Sequence, residues 1–103
     1  MTLVAILTVR SEAIDKFRAF EKRAATVMAK YGGAIERTVV VAPAGKGDSL
    51  KEIHIVTFPD EQAFAAYRQD EELQDVASLR AESVVHTELM IGEDGPDYGS
   101  ASS

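Results

Sequence analysis

The sequence predicts a single α+β domain of ferredoxin-like type: β-α-β-β-α-β order, a four-stranded antiparallel sheet, and helices on one face. Three observations predict it. Four short runs enriched in β-branched and other apolar residues fall at 3–9, 35–42, 52–58 and 84–91. Helical apolar spacing fills the long gaps after the first and third runs, whereas only a short Pro/Gly loop separates the second from the third. A chain of 103 residues has room for one domain.

The first run, Leu3 to Val9, is almost continuously apolar, which suits a strand buried on both faces near the centre of a sheet. Ser11 then offers a helix N-cap, with Glu12 and Asp15 in the first turn, where the helix dipole favours acid. Ile14, Phe17, Phe20, Ala24, Met28 and Tyr31 follow at spacings of three or four and mark one apolar stripe. Gly32-Gly33 stops that helix. Thr38-Val39-Val40-Val41 forms the heart of the second strand, and Pro43 to Asp48 is a loop that makes the second and third strands a hairpin. After Pro59, Asp60 caps a helix that turns Ala63, Phe64 and Tyr67 inward; Leu73, Val76 and Leu79 continue the stripe beyond a kink near Asp70. The last strand ends near Gly92. Residues 93–103 are acidic and Ser-rich with no stripe, which predicts a mobile tail, or an arm that orders only on a partner. Right-handed crossovers place strands one and three in the middle of the sheet.

The formal net charge of −6 disfavours nucleic acid and anionic membrane surfaces as partners, since both need clustered Lys and Arg. With no cysteine, disulfides, thiolate nucleophiles and Cys-based zinc sites are excluded. The first apolar run stops at Arg10 and has no basic segment before it, so neither a signal peptide nor a membrane span is expected and the default location is cytoplasmic.

Two strands carry polar groups among apolar ones. In the third, Glu52, His54, Val56 and Phe58 alternate with Ile53, Ile55 and Thr57. In the fourth, Val84, His86, Glu88 and Met90 alternate with Val85, Thr87 and Leu89. The predicted topology leaves one sheet face without helices. A mixed face suits the interior of a two-sheet homodimer that encloses a semi-polar cavity.

Tyr31-Gly32-Gly33 at the end of the first helix, Phe58-Pro59-Asp60 between the third strand and the second helix, and Leu79-Arg80 beyond them occur in an order and spacing that resembles the family catalogued as domain of unknown function 1330. The resemblance runs from about Leu3 to Gly92 and implies the dimeric α/β-barrel architecture, two ferredoxin-like sheets face to face. Relatives in that superfamily include small monooxygenases that need no added cofactor, haem-degrading enzymes, isomerases of small lactones and proteins with no assigned activity. The resemblance therefore implies a fold more strongly than a reaction. The family often has Trp where Tyr67 stands and Tyr where Leu73 stands. Its strand-two Arg comes one residue later than Arg37, a shift that turns a strand side chain to the other face.

His54 and His86 are the only histidines, and imidazole titrates near neutrality, so both are candidate acids or bases. The plainer alternative is a hydrogen-bonded interface histidine. A metal held by His54, His86 and Glu88 is disfavoured, because side chains two strands apart stand roughly 10 Å from one another. No cofactor is expected. Arg80, which matches the family's Arg, can hold a carboxylate ligand in two hydrogen bonds; an ion pair with Asp75 or Glu82 is the alternative. Glu88 and Tyr67 complete the candidate ligand contacts. Gly45-Lys46-Gly47 lacks the spacing of a phosphate loop, and no nucleophile elbow supports a hydrolase. Two readings follow. One is a homodimer that binds a small molecule and acts as a cofactor-independent oxygenase or a proton-transfer enzyme. The other is a non-catalytic dimeric accessory or stress-associated protein.

Overall fold

The computed structural model describes residues 1–41 and 49–99. The loop expected at Pro43 to Asp48, with Gly45-Lys46-Gly47, and the last four tail residues lie outside the described residues. Four strands, β1 (Thr2–Arg10), β2 (Ala34–Val41), β3 (Ser49–Thr57) and β4 (Val84–Gly92), form one antiparallel sheet in the order β2-β3-β1-β4. The most apolar strand, β1, thus takes a central place with both edges paired, but helices cover only one of its faces, not both as its composition suggested. Helices α1 (Ile14–Lys30), α2 (Glu61–Arg68), α3 (Glu71–Asp75) and α4 (Ala77–Ser83) pack on one face. Residues 93–99 have no regular structure and are exposed throughout. Among the described residues no helix is long and apolar enough to cross a membrane.

The apolar stripe of α1 does what its spacing dictates: Phe17, Phe20, Ala24, Val27 and Met28 are buried. Phe17 meets Leu7 and Val9 of β1, while Met28 meets Leu3, Val56 and Phe58. The helix begins later than its N-cap signal suggests. A 3-10 turn takes up Ser11–Ala13, and α1 proper starts at Ile14. The kink expected near Asp70 is a complete break into separate helices, each with its own acidic cap. The Asp60 carboxylate accepts from the Ala63 amide at 2.8 Å and opens α2; the Asp70 carboxylate accepts from the Glu72 amide at 2.8 Å and opens α3.

The Tyr-Gly-Gly and Phe-Pro-Asp segments meet in space. Gly32 has φ +74°, and a Cβ there would lie 2.8 Å from Pro59 Cγ; at Gly33 a Cβ would lie 2.5 Å from the Phe58 ring. Glycine is thus required at both positions, first by the left-handed backbone and then by the close approach. Tyr31 donates its hydroxyl proton to Asp70 at 2.5 Å, and Lys30 pairs with the same carboxylate at 2.9 Å. These contacts tie the end of α1 to both joints of the second helical region. The motifs that carry the family resemblance therefore build the scaffold around the space between helices and sheet.

The strand registers decide which side chains face that space. Ala5 of β1 pairs with His54 of β3 and Leu7 with Glu52, so His54 and Glu52 lie on the helix-covered face. Thr8 pairs with His86 of β4 and Ile6 with Glu88, so His86 and Glu88 lie on the uncovered face. The shared face expected for the two histidines is not what the registers give. Ala5 and Thr8 are three residues apart, and three steps along a strand reverse the side. A bulge in β2 at Glu36 similarly turns Arg37 opposite Ile55, onto the uncovered face.

Candidate functional site

Between the sheet and α1, α2 and α4 lies a cavity of about 510 Å³. Its apolar wall is aromatic. Phe58 follows β3 into the core, and Phe64 and Tyr67 project from α2, with ring centroids 5.3 Å from Phe58 in both cases. Leu3 and Ala5 of β1 and Met28 of α1 extend the wall. The other end is polar and gathers Glu21 from α1, His54 from β3, Arg80 from α4 and Thr87 from β4.

His54 is the centre of that polar end. The residue is 5% exposed. Its Nε2 is 2.8 Å from Oε1 of Glu52, and its Nδ1 is 3.7 Å from Oε2 of Glu21. The imidazole is thus flanked by two carboxylates. Glu52 is in turn held by Arg18, whose Nη1 lies 2.5 Å from its Oε2. Burial raises the Glu21 carboxyl above its usual range; the nearby His54 opposes that shift and the negative Glu52 adds to it. Tyr67 is pushed up to about 12, chiefly by burial and then by the charge of Glu21. Arg80 lies at the solvent side and donates through Nη2 to Thr87 Oγ1 at 2.6 Å. Of the acidic partners weighed for it, Glu82 pairs with Lys16 at 3.0 Å instead.

The geometry therefore brings together His54, Arg80 and Tyr67 of the residues singled out from sequence. It does not bring His86 or Glu88 to them, because those side chains stand on the opposite face of the sheet. The arrangement of His54, His86 and Glu88 around one ion cannot close for the same reason. Glu21, Glu52, Arg18 and Thr87 were absent from the sequence-based site. One signal did exist: Glu21 sits four residues after Phe17 and three before Ala24, so it interrupts the buried stripe with a carboxylate.

The family model for the domain of unknown function DUF1330 matches residues 3–93. The chain belongs to the DUF1330 family. Among proteins of curated function none matches it. Several solved structures share the fold of this DUF1330 protein. SnoaB, a cofactor-independent oxygenase from Streptomyces nogalater, is 20% identical with a TM-score of 0.61, over 91% of this chain and 93% of that one. A protein of unknown function from Rhodopseudomonas palustris is 14% identical with a TM-score of 0.67, over 91% and 84%. An antibiotic biosynthesis monooxygenase is 12% identical with a TM-score of 0.63, over 92% and 98%. At such identities the likeness shows the fold. The DUF1330 protein shares with these structures the ferredoxin-like fold that its sequence predicted, a four-stranded antiparallel sheet with helices on one face.

Proposed function

We propose that the cavity binds a small, weakly acidic organic molecule and that His54 removes its proton. A buried imidazole between two carboxylates, at the polar end of an aromatic-walled cavity, is the observation that carries this reading. An aromatic or otherwise planar body fits against Phe58, Phe64 and Tyr67. Its acidic group, a phenolic hydroxyl or an enolisable carbon, then faces His54. When the imidazole takes that proton it becomes a cation flanked by Glu52 and Glu21, and the anion left on the ligand is stabilised by Arg80. Such an anion has two fates. It is reprotonated at another carbon, which is an isomerisation. Alternatively, where the acidic carbon is a methylene, it gives all four electrons to dioxygen: its two C–H bonds break, one oxygen atom becomes the new carbonyl oxygen, and the other leaves with the two hydrogens as water. The second fate is supported by the fold shared with a cofactor-independent oxygenase. We also propose that a second copy of the chain covers the sheet face that carries His86 and Glu88, so that these two side chains belong to a dimer interface and not to the cavity.

Thermal shift against phenols, quinols, β-dicarbonyls and simple carboxylates tests the binding. A ligand at one hundred times its Kd stabilises the native state by about 2.7 kcal/mol. A shift for one class that is lost in His54→Ala and kept in His86→Ala is the expected result. Oxygen uptake, or deuterium exchange at the acidic carbon, then separates the two fates. No shift for any class, with the wild-type protein folded, overturns the reading.

A further inference from the structure

We infer that Glu52, anchored by Arg18, is a positioning residue that fixes the tautomer of His54 and makes Nδ1 the atom that accepts the proton. The inference rests on the reading of His54 as a base and names the atom and its support. Glu52 is almost fully buried, its side chain 3% exposed, and both of its oxygens are engaged. Oε2 receives Arg18, a cation that cannot give up its proton in a protein. Oε1 faces His54 Nε2 at 2.8 Å. A carboxylate in an ion pair only accepts, so Nε2 must carry a hydrogen. In the neutral ring the lone pair then sits on Nδ1.

Nδ1 is turned to Glu21, which also lines the cavity. The separation of 3.7 Å is too long for a hydrogen bond. Among the described residues that nitrogen is therefore unengaged, which leaves it to a ligand. The charged and titratable groups around the ring are Glu52 from its own strand, Glu21 and Arg18 from α1, and, around Glu21, Arg80 from α4 and Tyr67 from α2. Among the described residues only Glu52 is at hydrogen-bond distance from a ring nitrogen. The order Arg18–Glu52–His54 also runs from a half-exposed side chain to the cavity, so the base is oriented by an ion pair whose far end is in solvent.

Nitrogen-15 chemical shifts of the imidazole rings in the ligand-free protein, at a pH where the rings are neutral, test this without any substrate. A histidine in a short unstructured peptide is the reference for a ring free to exchange tautomers. Wild-type His54 is expected as the Nε2–H tautomer in roughly tenfold or greater excess, as a charge-assisted hydrogen bond demands. In Glu52→Gln the side-chain amide can donate as well as accept, and the excess should collapse while the amide spectrum stays native. Glu52→Asp, which keeps an acceptor, should restore it in part. His54 carrying its hydrogen on Nδ1 in the wild type, or an unchanged ratio in Glu52→Gln, overturns the inference. If Glu52→Gln does not fold, the wild-type ratio alone decides. A correct tautomer with no ligand bound at any concentration would sink the proposed function and leave this inference standing.

Discussion

The two faces of the sheet carry similar sequences and have opposite fates. On β3, Glu52 and His54 are buried beneath α1; on β4, His86 and Glu88, in a similar alternation, stand exposed. Sequence alternation says that a strand has two unlike sides. Which side meets the helices is set by register against a neighbour. Both strands pair with β1, and the phase of each pairing relative to β1 puts one histidine under the helices and the other in the open. A mixed strand face therefore has two physical meanings. Under helices its polar groups must find partners, which is how His54 comes to be flanked by carboxylates. In the open they need none until something covers them.

The largest way to break the covered side is at Phe17, which is fully buried against Leu7 and Val9. Phe17→Ala should cost about 3–5 kcal/mol, read from the midpoint of urea unfolding. A loss below about 1 kcal/mol would mean that α1 is not packed on the sheet in this register.

A second contrast uses glycine. At Gly33 an added methyl would meet Phe58 and Met28 at 2.5 and 2.6 Å, whereas at Gly92, where β4 leaves the sheet, it would meet nothing within 4 Å. Gly33→Ala should destabilise by about 1–3 kcal/mol through overpacking. Gly92→Ala should stay within about 0.5 kcal/mol of the wild type. Equal effects at the two sites would remove the structural reading of the Tyr-Gly-Gly segment.

Two carboxylates titrate with opposite signs. Glu21, beside the cavity, is raised above 4.5 by burial. A raised carboxylate contributes stability that is fully present below about pH 4.5 and lost as pH rises through its raised value. Asp70, at the joint of α2 and α3, is lowered from 3.8 to about 2, first by the Tyr31 hydroxyl and then by Lys30. Its contribution is present above pH 3.8 and lost as pH falls towards 2. Urea midpoints measured across pH should show Glu21→Gln flattening the decline on the rising side and Asp70→Asn flattening it on the acid side. If Glu21→Gln steepens that decline, the burial assigned to Glu21 is wrong.

The fold was legible because each element carries its own period. Period two in the strands, the three-four spacing of Phe17, Phe20, Ala24 and Met28, and the cap at Asp60 are local properties, and the sheet order follows from connection rules. The site was legible only in part. Arg80, Tyr67 and His54 were singled out, but His54 was assigned to the wrong side with His86. Assigning a side requires the register between strands far apart in sequence, which alternation alone does not contain. Glu21 was overlooked because an amphipathic reading of α1 counts apolar positions and passes over the one acid among them. Of the family motifs Leu79-Arg80 reaches that end of the cavity, whereas Tyr31, Gly32, Gly33 and Phe58-Pro59 hold elements together rather than line its polar end.

The smallest expected effect sharpens the comparison most. In a single copy His86→Ala removes an exposed side chain, and its change in stability should stay within about 0.5 kcal/mol. The covered face offers no such tolerance: removing His54 leaves buried Glu52 with one oxygen unpaired. A second copy over the open face would change the arithmetic for His86 alone, because apparent stability then depends on protein concentration. His86→Ala should therefore leave unfolding unchanged in dilute protein and lower the midpoint as concentration rises into the range where wild type dimerises, with the mass measured in parallel. If the variant behaves as wild type at every concentration while the wild type is dimeric, the open face is not where the two copies meet.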